Sequence, residues 1–197
     1  MPRAGLTSSA VTAAGAALAD EIGLASLSMG LLAERLGVRP PALYKHVTNL
    51  ADLLHRIAIL GWTEIADSIR DAIQGRAGKD ALAAGAQAMR IYVRTHPGRY
   101  AAANAAQSSG PGDPLTAAAN RMIDSTAAML RGYQLGPDQE IHALRMLRST
   151  LHGFTTFETG GGFQIDVDVD ESFAWTIAFI DHGLQAVTAH THGTSTR

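Results

Sequence analysis

Apolar residues recur at steps of three and four along almost the whole chain, and glycine and proline interrupt this pattern at intervals. Such spacing places apolar side chains on one face of an α-helix, whereas a half-buried strand needs strict alternation over several residues. No run of strand length and composition shows that alternation. The pattern therefore predicts an all-α fold.

Three short helices are predicted before residue 49. The first covers residues 8–22, with Thr7 as N-cap and a glycine at its end, and the second covers residues 28–36. The third opens with the pair Pro40-Pro41, where a missing N–H does no harm, and runs to about Val47.

Longer helices are predicted after residue 49. We expect them at 50–74, from the glycine break at 75–78 to 96, at 99–107, 115–133, 138–159 and 171–190. Residues 108–114 have the composition of a turn, and residues 190–197 are expected to be a frayed tail.

The segment 29–48 carries the pattern of a helix-turn-helix. A small alanine allows two helices to approach, a glycine suits the turn, and apolar residues close a miniature core. The positions concerned are Leu32, Ala33, Leu36, Gly37, Val38, Leu43 and Val47.

The charges are distributed unevenly along a chain whose formal net charge is −2. Residues 1–48 carry four basic and three acidic side chains, and no acidic residue lies between Glu34 and Asp52. This window instead contains Arg35, Arg39, Lys45 and His46. A helix that approaches the negative phosphate backbone of DNA must present a face without acidic residues. The excess of positive charge is small, so we expect tight binding to need a dimer, which doubles the phosphate contacts.

The run from Leu27 to Val47, LSMGLLAERLGVRPPALYKHV, resembles the DNA-binding signature of TetR-family transcriptional regulators. The resemblance covers about residues 7–60, and the pieces Leu151-His-Gly153 and Phe157-Glu-Thr-Gly160 are similar to a C-terminal domain type of some members. It implies a DNA-binding domain at residues 1–48 and a helical ligand-binding and dimerisation domain at residues 49–197. The implied function is that of a homodimeric repressor which an unidentified small molecule releases from a palindromic double-stranded DNA operator.

The resemblance also implies which positions face DNA. Arg39 is long enough to reach a guanine edge, and Pro41 and Ala42 suit thymine methyl groups. The other positions suit phosphates. The full set is Ser28, Arg39, Pro41, Ala42, Tyr44, Lys45 and His46. Three positions depart from the family pattern: Ser8, Gly30 and Leu50 stand where basic or polar residues are common.

The second part of the chain has the composition of an apolar binding cavity, since ten of the eleven aromatic residues follow residue 60. Candidate ligand-binding residues are Trp62, Met89, Tyr92, Met122, Met129, Leu147 and Phe154. Ordinary core packing explains the same residues. Candidate polar anchors for a ligand are Arg90, Arg94, Arg145, Arg148 and His152.

Apolar stripes on the last two predicted helices are candidates for a four-helix dimer interface, although burial within one chain is the alternative. They consist of Ile141, Leu144, Leu151 and Phe154, and of Phe173, Ile177, Ile180, Leu184 and Val187. If they form the interface, a charge at Leu184 yields monomers.

The sequence contains no motif of a known catalytic, cofactor-binding or metal-binding site. We therefore predict no catalytic residue, no cofactor and no metal site. The chain has no cysteine, and the Asp166–Asp170 segment lacks the glycine and the glutamate that a calcium loop requires; it is expected to cap the last helix. Without a membrane span or signal peptide, a cytoplasmic protein is expected. The competing hypothesis is an all-α small-molecule-binding protein or enzyme with a vestigial helix-turn-helix.

Overall fold

The computed structural model describes residues 6–193, in which every element of regular secondary structure is helical and no β-strand occurs. The α-helices are α1 (Ser8–Ile22), α2 (Met29–Leu36), α3 (Pro40–Leu43), α4 (Leu50–Ala72), α5 (Gly78–Thr95), α6 (Pro97–Ala105), α7 (Pro114–Leu130), α8 (Pro137–Thr159) and α9 (Val169–Gly193). Single 3-10 turns lie at Leu24–Ser26 and Arg131–Tyr133. The predicted all-α fold is confirmed.

Most predicted helix ends are correct to within two or three residues, because local side chains set them. The backbone N–H of Ala10 donates to Thr7 Oγ1 over 3.1 Å, as expected of an N-cap. At the other end of the chain, α9 continues through Gly193, so the predicted fraying from residue 190 is wrong as far as residue 193. Residues 194–197 lie outside the described residues.

The predicted end of α3 at about Val47 is also wrong, because the helix ends at Leu43. The next residues form a tight turn in which the N–H groups of His46 and Val47 both donate to the Leu43 carbonyl, over 2.8 and 3.0 Å. The prolines stand at the first two positions of α3, where the N–H groups of a helix have no partner in any case, so it is this turn that ends the helix.

The chain forms two compact units. The first unit comprises Met1–Glu64 and Thr95–Asn120, and the second unit comprises Ile65–Arg94 and Arg121–Arg197. Consequently α4 and α7 each contribute residues to both units. The domain boundary that we predict after residue 48 separates DNA-binding residues from the others and is not a boundary between these units. It stays a prediction.

In the first unit, α6 lies directly on the backbone of α1. A Cβ atom at Gly98 would stand 2.2 Å from the carbonyl carbon and oxygen of Ala19, so only glycine allows this approach. Asp20 binds α6 at the same place: the Arg99 backbone N–H donates to Asp20 Oδ1 over 2.9 Å, and Arg99 Nε lies 3.0 Å from Oδ2. Arg99 Nη1 also donates to Glu64 Oε2 of α4 over 3.0 Å. These contacts join α1, α4 and α6.

In the second unit, a buried arginine ties three helices together. Arg90 of α5 is 2% exposed, and its Nε and Nη2 atoms donate to Glu158 of α8 over 2.8 and 2.6 Å. Arg90 Nη2 also lies 2.7 Å from Asp170 Oδ1 of α9. The guanidinium carbon stands 4.7 Å from the Phe173 ring centroid and 5.7 Å from that of Phe154. The hydrogen bonds to Glu158 are the main reason why the pKa of Arg90 lies above its usual value, so the charge is maintained and paired.

No helix within residues 6–193 has both the length and the apolar character needed to cross a membrane.

The approach of α6 to α1 predicts the effect of one methyl group. Gly98→Ala should lower the free energy of unfolding by about 1–3 kcal/mol, because the Cβ atom overlaps the Ala19 backbone. The matched control is Gly30→Ala in α2, where the nearest atom, Ser28 Oγ, is 3.9 Å from the added Cβ. The control should be neutral or stabilising by up to about 1 kcal/mol. Urea unfolding measures both, and equal midpoints for the two variants would contradict the packing described.

The Arg90 cluster predicts a larger loss. Arg90→Leu should lower the free energy of unfolding by about 3–5 kcal/mol, since the largely buried carboxyl group of Glu158 would lose its main partner. The exposed neighbour Arg94, 3.7 Å from the same carboxylate, provides the control. Arg94→Leu should cost less than about 1 kcal/mol in the same urea titration. A loss at position 90 no greater than that at position 94 would show that the buried pair does not hold these helices.

Candidate nucleic-acid interface

The turn between α2 and α3 is closed by backbone hydrogen bonds at Gly37. This residue has a left-handed backbone, with φ 64° and ψ 32°. Its N–H donates to the Glu34 carbonyl and the N–H of Val38 donates to the Ala33 carbonyl, each over 3.0 Å. This is the Schellman pattern, which satisfies the last carbonyls of a helix and reverses the chain in a defined direction.

A small apolar core holds the two helices of this helix-turn-helix together. Leu32, Ala33, Leu43 and Val47 are almost completely buried, whereas Leu36 and Val38 are half-buried. The residues that the sequence assigned to the miniature core therefore lie where predicted. Because this core is closed, the opposite face of α3 and of the turn after it is directed outward.

The structure places four of the seven predicted DNA-facing residues in exposed positions: Arg39, Pro41, Tyr44 and Lys45. Tyr44 is 52% exposed, although a lone aromatic residue on a helix usually belongs to the core. Within the part of the chain that the structure describes, no hydrogen bond, ion pair or ring contact engages the side chain of Arg39, Tyr44 or Lys45. Their side chains are thus available to an external partner.

The remaining three predicted residues are half-buried: Ser28, Ala42 and His46. Ser28 is the N-cap of α2, and its Oγ accepts the N–H of Leu31 over 3.3 Å. A serine hydroxyl that accepts one bond still has its own O–H to donate. Capping and a phosphate contact are therefore compatible at this position.

The positive face is narrower than the sequence indicates, because Arg35 has a partner. Both of its terminal nitrogens donate to the carboxylate of Glu21 at the end of α1, with Nη1 2.9 Å from Oε1. These hydrogen bonds lower the pKa of Glu21 and raise that of Arg35, so the pair stays ionised. Arg35 is thus neutralised locally, and Arg39 and Lys45 carry the positive charge of the described face.

The start of α4, which directly follows the recognition turn, is fixed by reciprocal capping. Asn49 Oδ1 accepts the N–H of Asp52 over 2.9 Å, and Asp52 Oδ2 accepts the N–H of Thr48 over 2.8 Å. Arg56 Nε donates to Asp52 Oδ1 over 2.8 Å. The bond from Arg56 is the main reason why the pKa of Asp52 is lowered. The sequence pattern Asn-x-x-Asp carries this signal, which our sequence analysis missed.

The three departures from the family pattern lie at accessible places. Ser8 and Leu50 are half-buried and Gly30 is exposed. A Cβ atom at Gly30 would meet nothing closer than 3.9 Å. The structure therefore has room for a larger side chain at position 30, and lack of space does not explain the glycine.

The seven candidate ligand-binding residues contribute to the cores of the two units. Trp62 belongs to the first unit, where it packs edge to face on Tyr100 with ring centroids 6.5 Å apart. Those of the second unit are Met89, Tyr92, Met122, Met129 and Leu147, which are buried, and Phe154, which is half-buried. Phe154 packs against Phe163 and Phe173, with centroids 4.9 and 5.0 Å away. Their burial suits both core packing and ligand binding, so the ligand assignment stays a prediction.

Of the five candidate polar anchors, Arg90 alone points into the core of its unit, where Glu158 and Asp170 pair with it. The other four are exposed: Arg94, Arg145, Arg148 and His152. Arg90 is therefore a structural cation, whose charge is already balanced.

The apolar stripes predicted for a dimer interface are mainly buried within the chain. Leu151, Phe173, Ile177, Ile180 and Leu184 are at most 7% exposed, Leu144 and Phe154 are half-buried, and Ile141 and Val187 are exposed. A charge at Leu184 would therefore disturb folding as well as association.

A different face of α9 presents large apolar residues, and our sequence analysis missed it. Trp175 and Phe179 are 68% and 65% exposed, and their rings stack at 5.5 Å with an interplanar angle of 15°. The available signal was the spacing of two aromatic residues four positions apart on a helix whose opposite face is already apolar.

The acidic segment before α9 caps that helix, as predicted. Asp168 Oδ1 accepts the backbone N–H of Asp170 over 2.6 Å and that of Glu171 over 3.4 Å. Negative side chains at this end also suit the helix dipole.

Comparison with known proteins finds a matching family model for the C-terminal half and relatives that match most of the chain. The family described as "Tetracyclin repressor-like, C-terminal domain" matches residues 82–180, which is half of the chain. An uncharacterised HTH-type transcriptional regulator of Bacillus subtilis is 30% identical over 187 residues, covering 93% of this chain and 95% of that protein. Another, from Mycobacterium tuberculosis, is 33% identical over 171 residues, covering 87% of this chain and 78% of that protein.

Solved structures share the fold. A protein of unknown function from Rhodococcus superposes with a TM-score of 0.78 at 21% identity, over 93% of this chain and 98% of that one. BioQ with its double-stranded DNA operator gives a TM-score of 0.66 at 22% identity, over 92% of this chain and 99% of that one. The chain therefore belongs to the TetR family of helix-turn-helix, DNA-binding transcriptional regulators and is not an enzyme.

Proposed function

We propose that this TetR-family regulator is a repressor that binds a palindromic operator as a homodimer and leaves it when a small-molecule effector binds. The observation that carries the DNA contact is the group of outward side chains, Arg39, Tyr44 and Lys45, on a helix-turn-helix with a closed core. Residues 1–48 would contain the DNA-binding part, and residues 49–197 the effector-binding and dimerisation part. Since its target is DNA, we place the protein in the cytoplasm.

The chemistry of the exposed face divides the DNA contacts into two kinds. Arg39 is the N-cap residue of α3, and a guanidinium in this position is suited to the O6 and N7 atoms of guanine in the major groove. Pro41 and Ala42 offer apolar contact to thymine methyl groups. Tyr44, Lys45, His46 and Ser28 offer donors to phosphates, which position the protein without reading sequence.

Charge explains why two subunits are needed. The described face has two cations without a carboxylate partner, because Glu21 neutralises Arg35. Electrostatic affinity for DNA comes from the counterions released at each phosphate that a cation neutralises. Two cations neutralise few phosphates, so a single subunit gains little affinity in this way. A twofold dimer doubles these contacts and presents two recognition segments about one helical turn apart.

The outer face of α9 is the dimer contact that the exposed residues favour. The Trp175–Phe179 stack stands beside an apolar groove of about 470 Å³, whose lining includes Met146 of α8 and Leu184 and Val187 of α9. Aromatic residues and methionine are enriched at interfaces, and exposed apolar surface of this kind marks association sites. A second copy, related by a twofold axis, would bring the same stack against this surface.

An effector would act by population shift. The candidate effector-binding residues of the second unit are Met89, Tyr92, Met122, Met129, Leu147 and Phe154, and Trp62 is a separate candidate in the first unit. A ligand that prefers the conformer unable to span two half-sites would lower the affinity for DNA, by no more than its difference in affinity for the two conformers. Because α4 is continuous from Leu50 to Ala72, it is the element through which we expect the two events to be linked.

The DNA proposal is tested by selecting bound sequences from randomised duplex DNA at near-physiological salt. Wild type should enrich a palindrome, and the double variant Tyr44→Ala, Lys45→Ala should lose it, because phosphate contacts that position Arg39 are removed. Arg145→Ala, an exposed arginine of α8, is the control and should enrich the same palindrome as wild type. On that palindrome, Lys45→Ala alone should reduce the salt dependence by about one phosphate per subunit. Equal enrichment and equal affinity for the double variant would refute the proposed face.

The dimer proposal is tested by light scattering on the purified protein. Phe179→Glu should convert dimers to monomers, because it places a charge where the interface would exclude water. Ile123→Glu changes an exposed isoleucine of α7 and is the matched control, which should stay dimeric. A dimeric Phe179→Glu protein would remove α9 from the interface.

A further inference from the structure

A basic cavity of about 450 Å³ lies in the second unit, away from the residues considered so far. Its walls come from the end of α4, from the turn that follows, from α7 and from the 3-10 turn after α7. Four arginines line it, namely Arg70, Arg76, Arg121 and Arg131, with Asp124 as the acidic residue among the lining set. In a chain whose formal net charge is negative, this is a concentrated positive surface.

Two of these arginines share a single carboxylate oxygen. Arg70 Nη1 lies 3.1 Å from Asp67 Oδ1, and Arg121 Nη2 donates to the same atom. Arg70 Nη2 lies 3.7 Å from the exposed carboxylate of Asp71. One acceptor cannot use the donors of two guanidinium groups, each of which has five N–H bonds. Both arginines therefore keep donors for a further anion.

The other two arginines have no carboxylate partner in the part of the chain that the structure describes. Arg76 Nη1 donates to the Ala72 carbonyl at the end of α4 over 2.7 Å, which holds its guanidinium in place. No hydrogen bond or ion pair engages the guanidinium of Arg131 among the described residues. The positive charge of the cavity is thus only partly balanced.

A serine hydroxyl on the wall adds a further group that can bind an anion. Ser125 is 7% exposed and lines the cavity, yet within residues 6–193 its hydroxyl has no hydrogen-bond partner. The adjacent Thr126 makes the usual helical bond, donating to the Met122 carbonyl over 2.9 Å. Because the Ser125 hydroxyl oxygen is not among the buried unpaired polar atoms of the described residues, it is open to the cavity and can bind a group there.

The turn that carries Arg131 is held by close packing. A Cβ atom at Gly132 would stand 2.3 Å from the backbone nitrogen of Gly78, at the start of α5. The backbone after Arg131 therefore has little freedom, and the cavity is a built feature of the second unit.

We propose that this cavity binds a small molecule through a pyrophosphate group. Guanidinium groups match phosphate oxygens with paired N–H bonds, and several of them around one cavity suit an anion with more than one charge. A volume of about 450 Å³ is within the range of small-molecule sites and admits a pyrophosphate with part of a larger molecule. The site shares no residue with the DNA-facing set or the apolar candidates, so it stands whether or not the proposed effector mechanism holds.

The test is calorimetric titration of the full chain with sodium pyrophosphate, and then with orthophosphate and with a nucleoside diphosphate. Pyrophosphate should bind more tightly than orthophosphate, and Arg131→Gln should weaken it about tenfold through the loss of a charged hydrogen bond. Ser125→Ala should weaken it severalfold without unfolding the chain, which circular dichroism checks. Arg145→Gln removes an exposed arginine outside the cavity and should change nothing. Tighter binding of the nucleoside diphosphate would assign the group to a larger molecule, and equal binding would assign it to the free anion.

Several results would overturn the inference. An equal loss of pyrophosphate affinity in Arg131→Gln and Arg145→Gln would show that binding depends on the overall charge of the protein and not on the cavity. Pyrophosphate that competes with duplex DNA for the wild-type protein, but no longer competes when Arg131 is changed, would assign the cavity to nucleic acid. An absence of binding by a protein that still selects a palindrome would reject the pyrophosphate site and leave the proposed function intact.

Discussion

The direction of the DNA-facing side chains depends on the left-handed turn at Gly37. Two backbone hydrogen bonds close α2 at this point and turn the chain so that α3 packs against α2, with Leu32 and Leu43 both buried. Once these residues are buried, geometry sends the opposite side of the short helix outward, with Arg39 and Tyr44 on it. A side chain at position 37 would have to adopt a conformation that L-residues rarely occupy, and the miniature core would open with it.

A close contact between two helices also joins α1 to the rest of the first unit. At Gly98 the backbone of α6 touches that of α1, and Asp20 accepts the Arg99 backbone N–H and forms an ion pair with the Arg99 guanidinium. Close contact and charge thus act at one point, which leaves little room for α6 to move without moving α1. A ligand-driven displacement of α6 would therefore be felt by the helix that supports the recognition segment, within one compact unit.

The features that the sequence predicts correctly are those that neighbouring residues decide. The helix cap at Thr7 and the turn at Gly37 depend on residues within five positions along the chain, so each has a local signal. The pairing of Arg90 with Glu158 joins residues 68 positions apart, and no periodicity reports it. The outer face of α9 was missed for another reason: both faces of this helix are apolar, so spacing alone cannot tell which one the chain buries. The early end of α3 was missed because the tight turn after Leu43 keeps the apolar spacing that a longer helix would also show.

The central claim is that α3 and the turn after it enter the major groove, and chemical footprinting of guanine N7 on a selected operator tests it most directly. N7 is exposed in the major groove, where the account places Arg39. The account predicts protection of guanines in two patches about 10 base pairs apart on one face of the duplex, with loss of a protected guanine from each patch in Arg39→Ala. Binding that leaves every N7 reactive, or protection that Arg39→Ala does not change, would contradict it.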